Sequence, residues 1–233
     1  MAAGKRRPTR TAVQPSMPGS LVDAALPGDD LVDDGLRRAL RYDGLDLSGR
    51  TARLVDIDGC RLVGTSLAGS TVDRLSVLDS IFERCDLANL ALSSSSLTRV
   101  ELTGCRATGL VASGTLLRNV TLHSCTADLS AFRFATFTKV ELVDCRLQGA
   151  DFIGADLTGA TFRRCDLTRA ELSQAKARGA LFVDCVWDGV RGVTSLAGAT
   201  VVHSSPLDAH AFMLATAGSL GIVIADRDDF PDP

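Results

Sequence analysis

Residues Ala150-Asp-Phe-Ile-Gly-Ala-Asp-Leu-Thr-Gly-Ala-Thr-Phe-Arg-Arg164 decide the fold. An apolar residue returns every fifth position (Phe152, Leu157, Phe162), and a small residue stands two places before each one. Outward from this stretch the rhythm holds from Leu47 to Trp187: 29 consecutive fifth positions are apolar, fourteen of them Leu and six Phe. A period of five fits neither a helix at 3.6 residues per turn nor a strand at 2. Each pentad must therefore turn a corner, with its apolar residue and the small residue before it pointing inward.

A second period is four times the first. Cys85, Cys105, Cys125, Cys145, Cys165 and Cys185 are 20 residues apart, and Phe82, Leu102, Leu122, Leu142, Phe162 and Phe182 keep the same spacing. A chain turning about 90° per pentad returns to the same side every four pentads. The first set reads as an inward column of small residues and the second as an inward column of large ones. Units that cover only their neighbours make a solenoid. The span from 47 to 187 predicts about seven coils, roughly 35 Å long at about 4.8 Å per coil.

The stretch 150–164 resembles the A(D/N)Lxx signature of pentapeptide-repeat proteins. The resemblance covers about residues 43–190; it is strongest over 145–176 and looser over 88–130. It implies an all-β right-handed quadrilateral parallel β-helix. Some members of the family mimic B-form DNA, protecting DNA gyrase against quinolones or peptide toxins, commonly as dimers through C-terminal helices.

Around the repeat the reading places a flexible basic arm (1–20), an N-terminal helical cap (21–42), the β-helix (43–190) and a C-terminal strand–helix–strand cap with a tail (191–233). Lys5, Arg6, Arg7 and Arg10 make the arm basic. Asp29 or Asp30 followed by Leu31–Arg41, with Arg37, Arg38 and Arg41 at the far end, predicts a capped helix that covers the first coil. At the other end the rhythm fails at Gly192. Thr200–His203 reads as a last strand, and Ser204 or Ser205 before Pro206 opens a helix to about Ala217. A short strand follows over Ile222–Ile224. This segment is expected to cap the coil; its alternative use is a homodimer surface.

Chemistry is harder to find. Six stacked thiols suggest metal or disulfides, but stacked Cβ vectors run parallel, and metal sites need convergent ligands. His123 takes an outward slot, while His203 and His210 lie beyond the repeat. Cysteine here reads as a small apolar filler. Ser93–Ser96 lacks a neighbouring base, and Gly149, Gly154 and Gly159 follow the repeat rather than a phosphate-binding fingerprint. A filled prism offers no concave pocket along its length, so neither an enzyme nor a cofactor is expected.

Residues 41–190 carry 17 basic and 18 acidic residues, a net of −1. Duplex mimicry would need about twenty uncancelled negative charges over such a rod. Arg99, Arg118, Lys139 and Arg178 approach one edge, but Glu101 and Glu141 lie beside them, so nucleic acid is not the expected partner. The outward slots Val111, Leu129, Phe134 and Ile153 are the apolar exceptions, and they make a candidate surface for another protein. No apolar run reaches 18 residues, so no membrane span is expected. Seven cysteines without an export signal point to the cytoplasm; 22 Arg against 3 Lys point to a GC-rich genome, and the family resemblance implies a bacterial source.

Overall fold

A computed structural model describes residues 12–203 and 206–220. The chain winds as a parallel β-solenoid of about nine turns, with one helix over Pro206–Ser219 at its C-terminal end. Pairing follows the predicted register of 20: Tyr42 lies beside Leu62, then Phe82, Leu102, Leu122, Leu142, Phe162 and Phe182 in one continuous column.

The corners have one physical cause. Every fifth residue from Asp34 to Gly189 has a positive φ, between 46° and 71°. One left-handed residue per pentad turns the backbone onto the next side. Glycine suits that conformation, yet many corners carry other residues, each of which strains the backbone by about 1–2 kcal/mol. Packing of the inward side chains holds those corners in place.

The coil starts earlier than 43, and no helix forms over Leu31–Arg41. Leu36–Arg38 and Leu40–Asp43 are strands that pair with Asp56–Asp58 and Arg61–Val63 one coil on. Arg37 sits inward where an apolar residue is due, which hid this coil from the fivefold count. Its guanidinium donates to the Asp30 carbonyl at 3.0 Å through Nε. The aspartates expected to cap a helix have other partners: Asp30 accepts from Arg50 Nε at 2.9 Å, and Asp33 from the Arg53 N–H at 2.8 Å. Leu31 is buried in the core below the first coil. The Tyr42 hydroxyl donates to the Asp29 carbonyl at 2.9 Å, and burial pushes its pKa up.

At the other end, Gly192 (φ 73°) lies so close to the previous coil that a Cβ there would meet Ser173 N at 2.3 Å. A 3₁₀ turn over Val193–Leu196 follows, and both of those residues are buried. The last register shortens to 19, with Leu181 pairing Thr200 and a final strand over Thr200–Val202. Phe212 on the C-terminal helix meets Trp187 edge-on at 4.9 Å, which closes the top of the core. Ser204, Ser205 and Ile222–Ile224 lie outside the described residues.

The core changes character along the axis. Phe132, Phe152, Phe162, Phe182 and Trp187 contact one another in succession, with centroids 4.8–6.0 Å apart. Below them Leu and Val take the place of most rings, Tyr42 and Phe82 being the exceptions, and Ala107, Ala112 and Ala127 take central slots. Cavities of about 40 and 50 Å³ open there, walled by residues such as Leu92, Leu97, Leu102 and Leu110. Thr115 lines the first, and its buried hydroxyl has no hydrogen-bond partner.

Candidate functional site

All seven cysteines are buried and unbridged. In the column of six, each Sγ donates to a carbonyl 23 residues earlier, from Cys85 to Leu62 at 3.4 Å up to Cys185 to Phe162 at 3.7 Å. Ser70 Oγ makes the same bond to the Leu47 carbonyl at 2.9 Å. Cysteine therefore stands where a small side chain with one donor fits. Burial raises the Cys60 thiol pKa; hydrogen bonds from neighbouring thiols, with burial, raise those of Cys105 and Cys145. The same thiol–thiol hydrogen bonds act the other way on Cys85, Cys125 and Cys185, so it is enclosure in the core that keeps these sulfurs from acting as nucleophiles or ligands.

Several outward acids pair with an arginine of a neighbouring coil. Arg99 pairs with Asp79 through two 2.6 Å bonds, and Arg164 with Asp144 at 2.5 and 2.9 Å. Arg106–Asp86, Arg61–Glu83 and Arg191–Glu171 repeat the theme at 2.7–2.8 Å. Hydrogen bonds from Arg99 and Arg164 hold the Asp79 and Asp144 carboxyls below the ordinary value. On the edge that carries Arg99, Arg118, Lys139 and Arg178, Arg99 is paired, with Asp79 rather than with the expected Glu101 or Glu141; among the described residues the other three bases form no ion pair.

Of the apolar surface residues, the structure brings Val111, Leu129 and Phe134 together. Leu129 and Phe134 are consecutive corners of a single coil, 69% and 65% exposed, with the side through Ala131 between them. Val111 lies exposed one coil below, bridged to Ala131, and Ile153 is half-buried above. Both corner residues are left-handed, at φ 56° and 57°, where bulky side chains are rare. Glycine in the next coil makes room for them: a Cβ at Gly149 would meet Leu129 Cδ2 at 2.9 Å, and one at Gly154 would meet Phe134 Cε1 at 2.5 Å.

Two features escaped the sequence reading. Leu116, 56% exposed, extends the patch around the Phe134 corner. It too takes an outward slot, so the fivefold template could have found it. The second feature is the course of residues 12–20, which lie along a corner of the solenoid. Their only signal was the spacing of Pro15 and Pro18. Among the described residues no three His, Cys, Asp or Glu side chains converge as a metal site would require, and no helix is long and apolar enough to cross a membrane.

A parallel β-solenoid built of pentads, one left-handed residue at each corner, defines the class. The model of a pentapeptide repeat region matches residues 75–152, and that of pentapeptide repeats, in eight copies, matches 145–184. The chain is a pentapeptide-repeat protein. Solved structures of the same fold include HetL, a pentapeptide repeat protein involved in heterocyst differentiation regulation in the cyanobacterium Nostoc sp. strain PCC 7120. It is 19% identical over 72% of this chain and 87% of its own, with a TM-score of 0.36. A trypsin-treated form of QnrB1, a plasmid-mediated fluoroquinolone resistance protein, is 23% identical over 88% and 96%, with a TM-score of 0.34. A pentapeptide repeat protein of the Arabidopsis thaliana thylakoid lumen is 26% identical over 40% and 65%, with a TM-score of 0.30. At such scores these likenesses carry nothing about activity or partners. No curated protein matches the chain.

Proposed function

We propose that this protein is a non-enzymatic scaffold whose rigid side, framed by Leu129 and Phe134, docks another protein. The observation that carries this reading is the pair of large apolar side chains at exposed left-handed corners of one coil. Both the exposure and the backbone conformation work against stability. The left-handed conformation is shared by every corner of the coil, so the weight rests on exposure: exposed apolar patches mark contacts. Val111 and Leu116 widen the apolar surface, and Ile153 borders it.

The test is a double substitution, Leu129→Gly/Phe134→Gly. Glycine removes the knobs while relieving the corners, so unfolding stability should hold or rise as capture of the native partner is lost. A loss of about 3 kcal/mol or more, typical of core truncation, would make these residues structural and end the proposal. The DNA-mimic alternative, a protein that binds gyrase and protects it against quinolones or toxins, requires an acidic face. The coil-to-coil pairing of Arg with Asp and Glu works against one. A homodimer through the C-terminal segment remains compatible with Met213 and Leu214, which are exposed on the outer side of the helix. We place the scaffold in the cytoplasm, where buried unbridged thiols persist.

A further inference from the structure

The corner through Ala39, Gly59, Asp79, Arg99 and Asn119 is covered by the chain's own N-terminal segment. Residues 12–20 run along it against the direction of coil growth. The Val13 N–H donates to Asn119 Oδ1 at 3.3 Å and the Ser16 N–H to Asp79 Oδ1 at 2.8 Å. Lower down, Pro18 Cδ lies 3.0 Å from where a Cβ on Gly59 would stand.

These contacts share one register. Asn119 and Asp79 are two coils apart, about 9.6 Å at the usual strand spacing. Val13 and Ser16 are three residues apart, about 9–10 Å in an extended or polyproline conformation. An extended chain therefore presents one N–H to every second coil, and 1.5 residues per coil also brings Pro18 to Gly59. Pro15 and Pro18 fit between because they have no N–H to satisfy and hold φ near the polyproline value. Arg99 grips Asp79 through two bonds and so fixes the acceptor before any ligand arrives. Recognition runs through the backbone: Val13, Gln14 and Ser16 expose their side chains, and only Ala12 is buried. A cleft of about 290 Å³ beside Ser16, Met17 and Pro18, floored by Ala39 and Gly59, shows that the segment only partly fills its groove.

We infer that this corner is a binding groove for an extended peptide with N–H donors three residues apart, filled in cis by residues 12–20 and able to take the same segment from a second copy of the chain. It lies on a different corner from Leu129 and Phe134 and stands independently of the scaffold reading.

The test opens the groove without touching the solenoid. Val13→Pro/Ser16→Pro in the full chain deletes both donors in an already extended segment; Ser16→Ala, which keeps its N–H, is the control. The probe is a labelled synthetic peptide of residues 12–20, followed by fluorescence anisotropy. The unmodified chain and the alanine control should bind it poorly, because a tethered segment competes at high effective concentration. The double-proline variant should bind saturably and at least about tenfold more tightly, the worth of about one hydrogen bond. Adding Asn119→Ala to it should weaken binding by about the same factor. A peptide N-methylated at Val13 and Ser16 should not bind. Absence of saturable binding to the double-proline variant, or binding indifferent to N-methylation and to Asn119, would overturn the inference.

Discussion

The lower coils, up to about Leu142, and the upper coils, from about Cys145 to Trp187, obey one rule of winding with different fillings. From Tyr42 upward both place an apolar residue at every fifth position, and both turn on left-handed corners. Above, Phe152, Phe162, Phe182 and Trp187 stack into a continuous spine that reaches the C-terminal helix through Phe212. Below, rings are sparser: Leu, Val and Ala fill most of the same slots, with Phe82, Phe132 and Phe137 among them, and cavities remain. Residues 12–20 run along these hollow coils, between Asn119 and Gly59. A repeat can thus keep its geometry on hydrophobic pattern alone, whereas packing density depends on which residue fills each slot.

The largest expected effects break this contrast or confirm it. Phe152→Ala should cost about 3–5 kcal/mol, and Leu97→Ala, which borders both cavities, about 2–3. Urea unfolding of the two variants gives the comparison; equal losses would mean that the halves pack alike. Filling should have opposite signs in the two regions. Ala160→Leu overpacks the tight half and should cost about 1–3 kcal/mol, while Ala112→Leu fills a void and should add about 0.5–2. Thr115→Val removes an unsatisfied buried hydroxyl at nearly constant volume, so about 1 kcal/mol of stabilisation is expected from the same measurement.

The smallest effect is electrostatic. Asp79 in the lower half and Asp144 in the upper are each held below the ordinary carboxylate pKa by an arginine. Their folded-state pKa is depressed, so their stabilisation is complete above the unfolded value of 3.8 and fades as pH falls through the lower folded one. Asp79 is the better covered of the two, at 12% against 36% side-chain exposure. Unfolding measured from about pH 6 down to about pH 2 should flatten more for Asp79→Asn than for Asp144→Asn. The reverse order would show that coverage by residues 12–20 leaves the Arg99–Asp79 pair unprotected from solvent screening.

Much of this was legible in the residues. Spacings of five and 20 reveal the inward columns and the register, and Ser204 or Ser205 before Pro206 reveals the C-terminal helix, without any knowledge of contacts. They fail where a polar residue is satisfied inside the coil. Arg37 breaks the pattern, yet its guanidinium finds the Asp30 carbonyl, so a coil extends where a helix was expected. They fail again at Gly192, which approaches Ser173 closely and is followed by a 19-residue register. The candidate surface was half visible. Val111, Leu129 and Phe134 stand out as outward apolar residues, but that Leu129 and Phe134 take neighbouring corners of one coil, beneath Gly149 and Gly154 and with Val111 one coil below, is seen only in the structure.

By itself the sequence determined the solenoid, because a side chain's place in a repeating coil depends only on its position within the pentad and the layer. Tertiary structure decided what lies against the outside of that coil and how well its inside is filled. Residues 12–20 stand outside the five-residue pattern, and their groove exists only because Asp79 and Asn119, 40 residues apart in the chain, come to stand two coils apart. The cavities are equally invisible in any one pentad, since a void is the shortfall of several neighbouring side chains drawn from different turns.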